Sequence, residues 1–321
     1  MITPKIPLLK DGQILSVDVV NSIIKRTEYA GDLLKQYKLI AGNEMYVEPH
    51  YDGTRVSYLQ PVGGGGGGTP QPVTPSYRIV GRYLINGIFR GFLYNGSTYT
   101  DIFVPGSTST HAVGIDGSNI VGFTAIGGLQ RGFLYNGSTF TDIFVPGSTL
   151  TLAFGISGSN IVGEAVIGGV VRGFLYNGST FTDIFVPGST GTVAFGIDGS
   201  NIVGSTAIGG SQRGFLYNGS TYTDIFVPSG TFTEACDIDG SNIVGLTAIG
   251  GSQRGFLYNG STYTDIFVPG SANTIAYGID GSNIVGAVII GGITRGFLYN
   301  GSTFTDIFVP SSTFTQALGI G

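Results

Sequence analysis

Two residue types recur in this chain at a spacing that invites a chemical reading. Arg90 is followed eleven residues later by Asp101, and the pair returns as Arg131 and Asp142, Arg172 and Asp183, Arg213 and Asp224, Arg254 and Asp265, and Arg295 and Asp306. Repeated arginine and carboxylate groups suit anion binding or proton transfer. They equally suit bidentate ion pairs that fix strand register. With Asn95-Gly96 as a two-residue hairpin turn, Arg90 falls opposite Asp101, so the expectation is six ion pairs internal to the blades.

Other candidates for chemistry are sparse. The histidines are His50 and His111, and neither has a recurring Cys or Ser neighbour that would suggest a triad. Asp116, Asp198, Asp239 and Asp280 recur at one turn, but Ser157 and Gly321 interrupt the series, so a metal ring is not expected and turn formation is. Gly63 to Gly68 is not followed by Gly-Lys-Ser/Thr, which argues against a phosphate loop. Cys236 stands alone, which excludes an intramolecular disulfide and a thiolate cluster. No catalytic residues, metal or cofactor are expected.

Those residues are set on a repeat. Arg-Gly-Phe-Leu-Tyr-Asn-Gly begins at Arg90, Arg131, Arg172, Arg213, Arg254 and Arg295, with a period of 41 residues. A period of ~40–45 is that of four-stranded propeller blades. In the second unit the strands read as Thr110 to Ile115 (A), Asn119 to Ile126 (B), Leu129 to Tyr135 (C) and Ser138 to Val145 (D), with Gly127-Gly128 and Asn136-Gly137 as hairpin turns. The array opens on a B-type segment, Ile79-Val80-Gly81, and ends on an A-type segment, Gly319-Ile320-Gly321. The fold expected over 78–321 is therefore a mainly β, six-bladed propeller closed by the C-terminal strand. A parallel β-helix is the alternative, though it needs no complementary ends. The repeat resembles the HAF-type extracellular repeat, through Gly91-Phe92-Leu93-Tyr94-Asn95-Gly96, Ile102-Phe103-Val104-Pro105-Gly106 and Ala112-Val113-Gly114-Ile115-Asp116. That resemblance implies a propeller-like array and no particular chemistry.

Comparison of the six units shows where they differ. One position carries Ser109, Leu150, Gly191, Phe232, Asn273 and Phe314, and another carries His111, Leu152, Val193, Glu234, Ile275 and Gln316. The residues after the B–C turn also vary, including Gln130, Gln212 and Gln253. Alternating strands put the D–A and B–C connections on one face, which is the candidate recognition face. The chain enters at the other face, so the varied face is expected to point away from the N-terminal segment.

Residues 1–62 read as an anchor or oligomerisation segment of helix plus hairpin, and 63–77 as a Gly/Pro-rich linker. Ser16 caps a helix from Val17 to Leu39, with Val20, Ile23, Ile24, Leu33, Leu34 and Tyr37 on one face. Such a helix needs a partner: self-association, for example as a homotrimer, or docking onto another protein. Tyr46 to Leu59 reads as a hairpin around Asp52-Gly53. The helix, Ile40-Ala41-Gly42-Asn43 and the hairpin resemble virion-attachment segments of bacteriophage fibre and structural proteins. The resemblance implies a tail fibre or capsid decoration protein located in the virion, docked to other virion proteins and facing a host-surface glycan or protein.

Net charge is −5, with seven basic and seven acidic residues before residue 76, and eight arginines against thirteen acidic residues after it. No basic stripe supports nucleic-acid binding. No apolar run is long enough for membrane insertion, and Met1-Ile-Thr-Pro-Lys-Ile-Pro has no signal-peptide core. The leading expectation is a non-enzymatic adhesin. The alternative is a bacterial carbohydrate-binding propeller lectin using Tyr94 and its equivalents between blades, although the chain has no Trp.

Overall fold

The computed structural model describes residues 45–50, 53–58 and 77–321, which fall in two units divided after Val73. In the first, strands Met45–His50 and Gly53–Tyr58 pair antiparallel, with His50 opposite Gly53. Gly53 is therefore a strand residue, and the hairpin is centred one residue earlier than the Asp52-Gly53 turn signal implies. The expected helix, with Val20, Ile23, Ile24, Leu33, Leu34 and Tyr37, and the linker as far as residue 76 lie outside the described residues.

The second unit consists of six four-stranded antiparallel sheets. Blade two is typical: A is Ser109–Asp116, B is Asn119–Ile126, C is Leu129–Tyr135 and D is Phe140–Ile143. Blade one takes Ile79–Ile85, Ile88–Tyr94 and Tyr99–Ile102 from the start of the array and its A strand, Phe314–Ile320, from the end. The closing strand pairs from Phe314 opposite Leu84 to Ile320 opposite Ile79. Beyond it, Arg78 and Gly321 exchange both backbone hydrogen bonds, at 2.8 and 3.0 Å. A strands touch A strands all round the ring, so they are innermost.

The turns explain the register. At the B–C turn both glycines have positive φ (59° and 81° at Gly127 and Gly128), as a type I′ hairpin requires. The Asn-Gly turn is different. Tyr94 opposes Tyr99, which leaves a four-residue loop from Asn95 to Thr98. The Asn95 Oδ1 accepts the amides of Ser97 and Thr98 at 3.1 and 2.8 Å. This side-chain cap stabilises the longer loop over the two-residue turn. Every C–D register therefore moves by two residues from the one the sequence suggests, and Asp101 opposes Phe92 rather than Arg90. Strand D also shortens to Phe140–Ile143, because the loop takes Ser138 and Thr139 while the Val145 amide bonds Thr151 Oγ1 at 3.1 Å.

The core lies between blades. A typical cluster joins Val121, Ile143 and Val145 of blade two to Ala153, Ile156, Ile161 and Phe174 of blade three. Because each blade supplies half of two such layers, burial of apolar surface itself ties neighbouring blades together. The B-strand glycine allows the tightest packing. At Gly204 an added Cβ would stand 1.9 Å from the Val193 carbonyl oxygen and 2.8 Å from the Phe215 ring, which is 1% exposed.

Candidate functional site

The repeated charged residues belong to the frame. In every unit Arg Nε donates to Asp Oδ1 at 2.8–2.9 Å and Nη2 donates to Oδ2, from Arg90–Asp101 through Arg295–Asp306. With Asp101 opposite Phe92, the contact is diagonal. The guanidinium also lies over a phenylalanine on the D-strand side, 4.0 Å from the Phe103 centroid in blade one. Its hydrogen bond to the carboxylate raises each arginine's pKa. These groups are half-exposed and fully engaged.

The turn aspartates act between blades. Asp116 Oδ2 accepts the Gly158 amide of the next blade at 2.6 Å, and Asp198 and Asp239 accept those of Gly240 and Gly281 at 2.9 and 2.7 Å. Ser157 Oγ takes the same role toward Gly199 at 3.2 Å. They therefore form staples to the following blade rather than turns within their own. No His, Cys, Asp and Glu grouping among the described residues suits a metal.

The tyrosines proposed as a sugar platform are also internal. Tyr135 stacks on Phe140 at 4.5 Å and its hydroxyl donates to the Gly137 carbonyl at 2.8 Å, a pattern repeated in the other units. A groove of about 450 Å³ between blades three and four includes Tyr217, Leu175 and Asn160.

The varied residues separate into two sets. Gln130 and Gln212 are exposed at the B–C end, while Ser109, Leu150, Phe232, Gln253, Asn273 and Phe314 are half-buried. Gln253 and Asn273 meet across a blade boundary, where the Gln253 backbone N–H donates to Asn273 Oδ1 at 2.8 Å. His111, Leu152 and Gln316, in contrast, are only 7%, 9% and 8% exposed. Glu234, at the same repeat position, is half-buried. These four sit inside A strands, so they are not outward loop residues.

Two of them, Leu152 and Glu234, line a cavity. It has a volume of about 590 Å³ and is lined by residues from the A strands of blades one to six, which places it on the ring axis. Its walls are Val113, Phe154, Phe195, Cys236, Tyr277 and Leu318, which occupy one repeat position. The A–B turns form one end, with Asp116, Ser157, Asp198, Asp239 and Asp280. Arg82, Phe123 and Glu234 lie toward the other. A glycine follows five of the six wall residues and lets the strands close in: a Cβ at Gly114 would stand 2.4 Å from the Phe154 carbonyl oxygen. Asp237 is the one non-glycine at this repeat position.

A polar and aromatic cluster spans blades one and two. Arg82 Nε donates to Gln316 Oε1 at 2.8 Å, and Arg82 Nη1 approaches His111 Nδ1 at 3.2 Å. His111 stacks on Phe123 at 4.4 Å, and Phe123 and Phe154 are 6.2 Å apart. Burial, aided by the Arg82 charge, lowers the His111 pKa to about 4. The ring is thus neutral near pH 7, with Nδ1 accepting from Arg82 and the proton on Nε2. Burial also lowers the pKa of Arg82.

On blade five, Glu234 accepts from Gln212 Nε2 at 2.6 Å, and Asp237 Oδ2 accepts the Ile279 amide at 3.0 Å. Desolvation raises Glu234, raises Asp237 to about 7 despite its backbone hydrogen bonds, and raises the Cys236 thiol well above its ordinary value. Desolvation likewise pushes Tyr277 up to about 12.

The fold these residues occupy has relatives among solved structures. A putative TolB from Agrobacterium tumefaciens is 13% identical, with a TM-score of 0.56 over 75% of this chain and 91% of that one. The β-propeller domain of the Trilobed protease from Pyrococcus furiosus is 10% identical, with a TM-score of 0.50 over 83% of this chain and 90% of that one. That domain is described as having an open velcro topology, whereas this ring is closed by backbone pairing. The six-bladed fucose-recognising lectin of Aleuria aurantia is 18% identical, with a TM-score of 0.47 over 73% of this chain and 92% of that one. At these identities the likeness establishes the propeller fold alone. No protein-family model matches the sequence, and no curated protein matches it.

Reading the units against each other identified the His111, Leu152, Glu234 and Gln316 position but passed over two more. These are the wall position and the middle of strand B, where Arg82, Phe123, Glu164, Ser205, Leu246 and Ala287 differ in every unit. The signal was present in the same comparison. It was obscured because both positions lie within strands, where variation is easily taken for core packing.

Proposed function

We propose that this chain is a non-enzymatic bacteriophage virion protein whose propeller binds a host-surface glycan or protein. Residues 1–62 would hold it to other virion proteins, singly or as a homotrimer. The observation that carries the binding reading is the division of labour among side chains. Residues that repeat in all six units build ion pairs, turn caps and inter-blade core. Residues that differ gather at the D–A and B–C end and along the axis, as befits recognition on a rigid scaffold. The virion assignment rests on the resemblance of the N-terminal segment.

Two experiments test the two halves separately. Antibody against this chain, imaged on purified particles by electron microscopy, is expected to decorate the virion; unlabelled particles from lysates that contain the chain would remove the virion reading. Labelled full chain is expected to bind host cells, and exchange of the D–A segments between blades is expected to abolish binding while the melting temperature holds. Unaltered binding would count against the varied face.

A further inference from the structure

One of the six junctions between blades differs from the rest in what covers it. Between blades three and four, the groove of about 450 Å³ is lined by Leu175, Ile184, Ile197, Ile202, Tyr217 and Ser200, among others. Three repeats away, the counterparts of these residues are Leu298, Ile307, Ile320, Ile79, Tyr94 and Tyr77. They meet at the closing junction of blades six and one, where Tyr77 packs against a cluster that contains the other five. Tyr77 stands where blade four has Ser200, because the chain enters blade one there instead of turning through Asp-Gly-Ser-Asn.

The closing junction is also the better covered one. Leu298 and Tyr94 are each 5% exposed, whereas the matching leucine and tyrosine of the other five units are half-buried. With serine at the Tyr77 position, the apolar groove stays open. The filled copy shows what the open one accepts: an aromatic ring carried on a polypeptide. The size agrees, since a cavity of ~150 Å³ holds a benzene ring and the groove leaves room for adjoining main chain as well. Its polar lining includes Asn160, whose side-chain amide makes no hydrogen bond to any described residue. The same lining residues recur at the junctions of blades two and three, four and five, and five and six, with Ser159, Ser241 and Ser282 in place of Ser200. Between blades one and two Arg78 replaces the asparagine, and its Nη1 donates across the boundary to the Gly117 carbonyl oxygen at 2.6 Å.

We propose that the four open grooves bind aromatic side chains of a protein partner, each in the place that Tyr77 takes at the closing junction. Burial of the ring against leucine and isoleucine supplies the affinity. Four equivalent grooves let a partner with spaced aromatic residues engage several at once. The grooves include residues of the A–B turn and the C–D loop, Ser200 and Gly219, so they lie at the end opposite the varied face. The site is independent of the virion and recognition readings, and its test uses neither particles nor cells.

The probe is N-acetyl-L-tyrosinamide, titrated calorimetrically into the full chain beside N-acetyl-L-alaninamide and methyl β-D-glucoside. The tyrosine derivative is expected to bind at least ~10-fold more tightly than the alanine one, a conservative share of what burying an aromatic ring contributes. Tyrosine placed at Ser159, Ser200, Ser241 and Ser282 together is expected to fill the grooves and abolish binding, while alanine at the same four positions leaves binding unchanged. Melting curves identify variants that have not folded. The single Ser200→Tyr change, which fills one groove, is expected to remove about one quarter of the sites, as the count of grooves requires. Undiminished binding by a folded serine-to-tyrosine variant would put the probe elsewhere, for example in the axial cavity, and overturn the proposal. So would equal affinity for the alanine derivative, binding of the glucoside alone, or no binding of the tyrosine derivative to the folded wild-type chain at ~5 mM, a standard free energy weaker than ~−3 kcal/mol.

Discussion

Two glycines of blade four make opposite predictions for the same substitution. At Gly204, in strand B, an added Cβ would stand 1.9 Å from the Val193 carbonyl oxygen and 2.8 Å from the Phe215 ring. Real Cβ atoms do not approach that closely, so the A and B strands must part or Phe215 must leave its pocket. Overpacking of this kind costs about 1–3 kcal/mol, occasionally more. The clash involves main chain, so Gly204→Ala should reach the upper part of that range. At Gly191, at the start of strand A, the nearest atom to an added Cβ is 3.7 Å away, an ordinary contact. There alanine removes glycine's extra unfolded-state entropy and should stabilise the fold by about 0.4–1 kcal/mol. For a domain of this size 1 kcal/mol moves the melting temperature by about 2–4 °C. Thermal melts of the full chain should therefore show Gly204→Ala lower by roughly 5–10 °C and Gly191→Ala higher by about 1–4 °C, on the same conversion. Matching shifts for the two variants, or no shift for Gly204→Ala, would refute the packing argument.

Other substitutions test the frame and the channel. Asp224→Asn removes the partner of Arg213, whose side chain is 33% exposed with the carboxylate at 52%; the loss should stay below about 1 kcal/mol and shrink in high salt. His111 has a folded pKa of about 4 against an ordinary 6.5, so the stability it contributes is present above pH 6.5 and lost as pH falls toward 4. Fully expressed, that loss approaches about 3 kcal/mol, and His111→Phe should flatten the melting temperature between pH 7 and pH 4.5. Asp237 runs the other way. Its folded pKa of about 7 lies above its ordinary 3.8, so stability is lost as pH rises between those values. Asp237→Asn should therefore melt higher than wild type at pH 8 and together with it near pH 4. Deleting 314–321 removes the A strand of blade one and bares the edge of Ile79–Ile85. The truncated chain should lose its cooperative melt and aggregate.

Much of the ring was legible in the sequence because the information is local and repeated six times. The 41-residue period, the Gly-Gly turns and the complementary ends at Ile79 and Ile320 determine blade number and closure without long-range argument. The C–D register was less legible. Asn95-Gly96 carries the signal of a two-residue turn, but a hydrogen-bonding side chain one residue before the glycine favours a four-residue loop. Arg90 still reaches Asp101 because a long side chain tolerates a diagonal placement. The role of Asp116 was not readable from its own unit, since its partner, the Gly158 amide, belongs to the next. The channel was the least visible feature. Arg82 and Glu234 lie more than a hundred residues apart, and only the closed ring directs both to one axis.

A ring of identical units tests the division between frame and recognition most directly. In such a chain every varied position takes the residue of blade four, including Gly191, Val193, Phe195, Ser205 and Gln212, while residues 1–77 are kept. The account predicts a folded, closed propeller with a cooperative melt near that of the natural chain and no binding to host cells by flow cytometry. Binding at the natural level by that uniform ring would contradict it.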